Sequence, residues 1–93
     1  MPIPVSFEFY PPKTDEQRAQ LDRTAYKLKA HAPDYVSCTF GAGGSTQEGT
    51  LDTVRAIVAE GWPGVPHLSC IGQTAASIRE RLASYRAAGV RRL

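Results

Sequence analysis

The chain has 93 residues, 42% hydrophobic and 22% charged, which suits one small globular domain and excludes a disordered chain. Eleven Lys and Arg against nine Asp and Glu leave a formal charge of +2, too small to favour a nucleic-acid partner. No apolar run approaches the roughly 20 residues of a membrane-spanning helix, and the amino terminus lacks a signal-peptide pattern. Two isolated cysteines, Cys38 and Cys70, are typical of a reducing compartment, so a cytoplasmic protein is expected.

Strand and helix patterns alternate along the chain. Three segments rich in strand-forming residues have centres about thirty residues apart, namely residues 4–9, 34–40 and 65–70. Helical patterns with capping residues at their starts fill the gaps and cover residues 15–31, 45–61 and 74–89. Residues 90–93 then have the character of a fourth strand. The order β-α-β-α-β-α-β predicts a parallel sheet with right-handed crossovers.

Each helical pattern carries an apolar stripe that we expect to pack against the sheet. The stripes are Leu21, Ala25 and Leu28, then Leu51, Val54, Ile57 and Val58, then Ile78, Leu82 and Tyr85. In each strand, apolar side chains alternate with polar ones, so that one face is expected to meet the helices. This apolar face comprises Val5, Phe7, Phe9, Val36, Cys38, Phe40, Leu68 and Cys70.

The alternation favours a closed barrel over an open doubly wound sheet. Strands of an open sheet are covered on both sides and tend to be continuously apolar, whereas these strands keep a polar face near their carboxyl ends. A complete (β/α)8 TIM barrel takes about 250 residues. We therefore expect residues 1–93 to be an amino-terminal fragment of one such α/β domain, comprising the first three βα units and the start of strand 4. The alternative, a small self-contained α/β domain, would leave residues 90–93 as an odd stopping place.

Glu8 lies between two phenylalanines in the segment Ser-Phe-Glu-Phe-Tyr-Pro-Pro-Lys, residues 6–13. One interpretation is a solvated carboxylate on an edge strand, which is the usual role of a charged strand residue. The other is functional, because Glu8 points away from the apolar face and lies near the strand's carboxyl end, where barrel enzymes gather their catalytic groups. The residue pattern alone leaves both interpretations open.

The glycine-rich segment 40–46, Phe-Gly-Ala-Gly-Gly-Ser-Thr, joins a strand to a helix. It does not match a dinucleotide-binding fingerprint, which would need glycine in place of Thr46, or a Walker loop, which would need a lysine. The segment is either a tight turn that ends at the cap Ser45 or a place where glycines let a flat ligand approach the backbone.

His67 and Thr39 also have two interpretations each. A single histidine with no second ligand at metal spacing indicates no metal site, and His67 could be a hydrogen-bonded interior side chain. Thr39 could be an ordinary β-branched strand residue. However, Glu8, Thr39 and His67 occupy corresponding positions on three successive strands, so we expect them to converge. A carboxyl group, a hydroxyl and an imidazole together suit proton transfer and the orientation of a polar heterocycle.

Three motifs, in this order and spacing, resemble the methylenetetrahydrofolate reductase family. They are Val-Ser-Phe-Glu-Phe-Tyr-Pro-Pro-Lys-Thr (5–14), Asp-Tyr-Val-Ser-Cys-Thr-Phe-Gly-Ala-Gly-Gly-Ser-Thr (34–46) and Pro-His-Leu-Ser-Cys (66–70), and the resemblance covers essentially the whole chain. It implies a flavin-dependent (β/α)8 barrel that transfers a hydride from NADH or NADPH to FAD. From FAD the hydride passes to 5,10-methylenetetrahydrofolate, giving 5-methyltetrahydrofolate. The implied partners are a folate substrate and, for the full-length protein, further copies of itself, with no nucleic acid and no membrane.

The resemblance also implies roles for five residues. Glu8 matches the general acid that protonates the folate and opens its five-membered ring to an iminium. That role requires a carboxyl group kept protonated near neutral pH by burial beneath flavin and substrate. Thr39 matches a residue that contacts the pyridine nucleotide, in the site that the folate uses in turn. Phe40, Ala42 and His67 match positions that line the flavin, although many relatives carry tyrosine where this chain has Phe40.

The family continues past strand 4 with a Leu-Arg-Gly-Asp segment close to the flavin, whereas this chain ends at Leu93, about where that segment should begin. We therefore expect the 93 residues alone neither to hold FAD firmly nor to turn over. The alternative function is a non-catalytic α/β binding or assembly module derived from a barrel enzyme. A downstream reading frame that encodes Leu-Arg-Gly-Asp would favour the enzyme, and a stop codon would favour the module.

Overall fold

The chain forms alternating strands and helices that build one parallel sheet. The structure, a computed structural model, describes residues 3–40 and 47–93. Its elements are β1 (Ser6–Phe9), α1 (Asp15–Leu28), a short 3-10 helix (Lys29–His31), β2 (Tyr35–Cys38), α2 (Gln47–Ala59), β3 (Gly64–Pro66) and α3 (Ala75–Ala87). The sheet has the order β1-β2-β3, and both pairings are parallel. The predicted α/β class with parallel strands is therefore confirmed.

The register of the sheet separates a polar row from an apolar face. Glu8 of β1 is paired with Ser37 of β2, and Ser37 is paired with Val65 of β3. Because side chains alternate along a strand, these three residues lie on one face. The other face of β2 carries Val36 and Cys38, both fully buried. The alternation predicted for the central strand is thus present in the structure.

The hydrophobic core lies between the apolar face of the sheet and the helices. Its buried members are Phe9, Val36, Cys38, Leu51, Val54, Ile57, Tyr85 and Val90. The stripe predicted for α2 is confirmed, with Val58 partly buried against the core. Gly64 lets β3 approach this helix, since a Cβ there would lie 3.1 Å from Cγ1 of Val54 and 3.2 Å from Cγ2 of Val58. The stripe of α1 is only partly buried, so α1 covers the core less completely than α2 does.

The helix starts follow the predicted capping chemistry where the structure describes them. The Thr14 hydroxyl accepts from the Gln17 N–H at 3.0 Å, which caps α1. The Gln17 side chain accepts from the Lys13 N–H at 2.8 Å, so it bonds the residue before Thr14 and does not complete a capping box with Thr14. At α3, Thr74 and Ser77 form a complete capping box. The predicted cap Ser45 of α2 lies outside the described residues.

The third helix makes its buried contact at its carboxyl end. Tyr85 is the buried side chain of α3, and Val90 and Ala88 beyond it also pack against the core. Leu82, predicted to point inward, is 38% exposed, so that prediction is wrong. The reason is geometric: α3 meets the core through its last turn, so a residue one turn earlier is left at the surface.

The third strand is shorter than predicted. The strand ends at Pro66, and after one more ladder hydrogen bond from the His67 N–H the chain turns. In this turn the Ile71 N–H donates to Ser69 Oγ and the Gln73 N–H donates to the Cys70 carbonyl. Cys70 is exposed in this turn, which contradicts its predicted place on the helix-facing side. The alternation of residues 65–70 therefore predicted too long a strand, because the second half of this segment forms a turn.

Two predictions for residues near the ends of the chain are also wrong. Val5 is 47% exposed because it precedes the first paired residue of β1, which lies at an edge of the sheet. Residues 90–93 form no strand. The Val90 N–H closes the end of α3 by bonding the Tyr85 carbonyl, and the Arg92 guanidinium lies 5.9 Å from the ring centroid of Tyr35. These contacts hold the segment against the helix end and the start of β2.

The two thiols are expected to differ strongly in reactivity. Cys38 is buried, and burial raises the pKa of its thiol from 9.0 to about 12, whereas Cys70 is exposed. The thiolate is the reactive form, so native protein at pH 8 should react with a disulfide reagent at Cys70 and resist at Cys38. Mass spectrometry of the labelled peptides measures this directly. In urea both thiols should react, and a Cys70→Ala variant should lose the fast phase. Rapid native labelling of Cys38 would contradict its burial.

Candidate functional site

The polar residues at the carboxyl edge of the sheet centre on the carboxyl group of Glu8. Its Oε1 accepts a hydrogen bond from Ser37 Oγ at 3.0 Å and lies 3.0 Å from Nε2 of His67. The side chains of Glu8 and His67 are about half exposed, at 49% and 46%, whereas Ser37 is buried. A hydroxyl and an imidazole therefore both contact one oxygen of the carboxyl group, at a surface that solvent and ligands can reach.

Sheet geometry explains why His67 reaches Glu8. His67 directly follows β3, and its N–H donates to the Cys38 carbonyl at 2.9 Å, which extends the ladder by one residue. It therefore occupies the next same-face position after Val65, which lies in the row of Glu8 and Ser37. From there the imidazole reaches diagonally across β2 to the carboxyl group. The expected convergence of Glu8 and His67 is present in the geometry.

Thr39 lies on the same face but makes no contact with the carboxyl group. Its N–H donates to the Phe9 carbonyl at 3.0 Å, and its carbonyl accepts from Thr50 Oγ1 at 2.9 Å, so its backbone is fixed. Its side-chain hydroxyl is buried and has no hydrogen-bond partner among the described residues. A buried hydroxyl without a partner costs free energy, so a group that hydrogen-bonds Thr39 Oγ1 would be stabilising.

The remaining two predicted residues follow β2. Phe40 is half buried at the end of the ladder, directly after Thr39. Ala42 and the rest of the glycine-rich segment at 41–46 lie outside the described residues, so the structure does not test the ligand-binding interpretation of that segment. The predicted residues that the structure does bring into contact are Glu8 and His67.

Ser37 is the residue that the sequence analysis did not single out. Its serine hydroxyl is the closest side-chain partner of Glu8 on the neighbouring strand, and the register makes that pairing direct. A usable signal was present, since Ser37 belongs to the polar face of the second strand. Its contact with Glu8, however, depends on how two strands align, and strand patterns alone do not give that alignment.

A cleft of about 540 Å³ opens beside the carboxyl group, between the Pro-Pro turn and the start of α1. Its lining includes Glu8, Tyr10, Lys13, Gln17 and Leu21. The cleft joins an apolar wall to an amine, an amide and the carboxyl group, so a molecule with a polar heterocycle could approach Glu8 from this side.

Among residues 3–40 and 47–93, no three His, Cys, Asp or Glu side chains gather closely enough to hold a metal ion. None of the helices in this part of the chain combines the length and the apolar character that crossing a membrane requires.

The fold and the site define an α/β protein with a polar site at the carboxyl edge of a parallel sheet. The sequence profile of one family, methylenetetrahydrofolate reductase, matches residues 2–93. The chain belongs to this family.

Named relatives share about a third of their aligned residues with the chain. The 5,10-methylenetetrahydrofolate reductases of Pectobacterium carotovorum and Escherichia coli are 33% and 34% identical over 98% of it. A probable methylenetetrahydrofolate reductase (NADH) of Oryza sativa is 32% identical over 91% of it. The chain spans about 31% of the length of the bacterial relatives and 14% of the rice protein.

Proposed function

We propose that the chain supplies the first three βα units of a (β/α)8 barrel that reduces 5,10-methylenetetrahydrofolate to 5-methyltetrahydrofolate. The observation that carries the proposal is the contact of Glu8 with His67 and Ser37 at the carboxyl edge of a parallel sheet, in a chain of the reductase family. Barrel enzymes place their chemistry at this edge. Residues 1–93 are thus proposed as the amino-terminal part of a single reductase domain.

The proposed general acid is Glu8. Its side chain is exposed enough to meet a substrate. A bound heterocycle would cover the carboxyl group and exclude water from it, which favours the neutral, proton-carrying form. Protonation of the folate by Glu8 would open its five-membered ring and make the methylene carbon electrophilic.

The residues present fit a flavin. Thr39 offers a buried hydroxyl without a partner among the described residues, and His67 offers a half-exposed imidazole on the same face. Together with Phe40 and Ala42, they are the proposed contacts to FAD and, for Thr39, to the pyridine nucleotide and the folate in turn. When bound, FAD supplies a carrier that accepts a hydride from the nucleotide and gives it to the folate. The plant relatives are named as NADH enzymes, and NADH or NADPH is the proposed donor here.

The experiment that tests this function separates the two half-reactions in a complete reductase that carries residues 1–93 as its first segment. Without oxygen, NADH or NADPH is expected to bleach the visible absorbance of the flavin. Adding 5,10-methylenetetrahydrofolate should restore the absorbance and yield 5-methyltetrahydrofolate in equal amount. The 93 residues alone serve as the control and should show neither change. Bleaching that the folate cannot reverse would contradict the proposed substrate.

A further inference from the structure

Both recorded contacts of the Glu8 carboxyl group fall on the same oxygen. Oε1 accepts from Ser37 Oγ and lies within hydrogen-bond distance of His67 Nε2, each at 3.0 Å. Oε2 receives no contact from the residues that the structure describes. The two oxygens of a carboxylate are equivalent in water, whereas contacts to only one of them make the two chemically different in the protein.

Ser37 is well placed to maintain the difference. It is 8% exposed and lies in the central strand, where it is paired on both sides, with Glu8 and with Val65. Water has little access to its hydroxyl, so the hydrogen bond to Oε1 has no equivalent replacement. His67 is more exposed and follows a short strand, so it is held less firmly than Ser37.

We propose that Ser37 is a positioning residue that, together with His67, engages Oε1 of Glu8 and leaves Oε2 as the oxygen that carries the transferable proton. The inference rests on the proposed function, because it assumes that Glu8 is the general acid. Oε1 already accepts the hydrogen bond from Ser37 and has the imidazole of His67 beside it, so the neutral carboxyl group carries its hydrogen on the other oxygen.

The transfer moves one proton from Oε2 of Glu8 to the folate. The O–H bond at Oε2 breaks, a nitrogen lone pair of the folate forms the new N–H bond, and the electron pair of the broken bond stays on the carboxylate. The charge spreads over both oxygens, and the Ser37 hydroxyl that donates to Oε1 stabilises it as it forms. Ser37 therefore acts on the reaction through Glu8 without touching the substrate.

The test replaces Ser37 in a complete family reductase that has all three side chains. Ser37→Ala is expected to slow folate reduction roughly tenfold, the effect of one lost hydrogen bond to a charged group. The loss should appear in kcat, while KM for the folate and the rate of flavin reduction by the nucleotide change by less than about twofold. Ser37→Thr, which keeps the hydroxyl, should recover most of the rate, whereas Ser37→Val, equal in size to threonine, should not.

A spectroscopic readout accompanies the kinetics. The ¹³C signal of the Glu8 carboxyl group, assigned by its loss in Glu8→Gln, should move in the alanine and valine variants and return in the threonine variant. The matched control is Ser84→Ala, which removes a hydroxyl that donates to the Glu80 carbonyl on α3 at 3.1 Å. That variant should change neither the signal nor the rate.

Different outcomes test the positioning role of Ser37 and the general-acid role of Glu8. Full folate reduction in Ser37→Ala or Ser37→Val, or a threonine variant as slow as valine, would overturn the positioning role while Glu8 remains the acid. Unchanged folate reduction in Glu8→Gln would instead overturn the proposed function. If the alanine variant does not fold, the threonine and valine pair still decides, because the two differ only in the hydroxyl.

Discussion

Glu8→Gln in a complete reductase is expected to lower folate reduction by about 10²- to 10⁴-fold, the range in which general acids contribute. Glutamine keeps the size of the side chain and can still accept from Ser37, but its amide cannot deliver a proton to the folate. Hydride transfer from the nucleotide to the flavin needs no proton from Glu8, so that half-reaction should change by less than about twofold. Anaerobic stopped-flow absorbance measures each half-reaction separately.

The control for this variant is Glu80→Gln on the exposed face of α3, which removes the same charge away from the site. It should leave both half-reactions at their original rates. An equal loss of both half-reactions in Glu8→Gln would mean that Glu8 supports the flavin site as a whole, and the general-acid role would then be wrong.

Tyr85→Ala is expected to destabilise the fold by about 3–5 kcal/mol, the usual cost of removing a large buried aromatic side chain. Tyr85 is 1% exposed and is the buried side chain of α3, so its ring is the main apolar attachment of that helix to the core. Urea unfolding followed by circular dichroism gives the change in the free energy of unfolding.

Two companion variants show which part of Tyr85 matters. Its hydroxyl is buried without a partner among the described residues, and burial raises the pKa of that hydroxyl. Tyr85→Phe should therefore cost nothing or stabilise by up to about 1 kcal/mol. Tyr26→Ala removes a ring that is 76% exposed and should stay within about 0.5 kcal/mol of the original. A similar loss in Tyr26→Ala and Tyr85→Ala would contradict the proposed attachment.

The sequence predicted well those features that depend only on residues close together in the chain. Thr14 and Thr74 cap their helices because a cap depends on the next three residues alone. The apolar side chains of α2 recur with the period of a helix, and because this helix packs directly on the sheet, the stripe they form is buried. The predictions for Leu82 and Cys70 failed because burial there depends on contacts with distant parts of the chain. A short stretch of sequence shows neither that α3 meets the core through its last turn nor that the chain turns after His67.

In the candidate site, too, features set by one strand were predicted and a contact between two strands was not. Alternation along β1 was enough to place Glu8 away from the phenylalanines, and corresponding strand positions were enough to bring His67 near it. The contact with Ser37 required the register of two strands that are 29 residues apart in the chain. Strand periodicity states which face a residue occupies, whereas the partner across the ladder is a property of the assembled sheet.

The ladder between β2 and β3 has a consequence for folding fidelity. β3 contributes three paired residues, so its alignment against β2 rests on few hydrogen bonds. A slip of one residue would turn every side chain of β3 to the opposite face and would present Pro66 or Leu68 to the carboxyl group in place of the imidazole of His67. The close approach of Gly64 to α2 opposes that slip, because a side chain at this place would press against Val54 and Val58. Correct assembly of the sheet and completion of the polar site are therefore a single event.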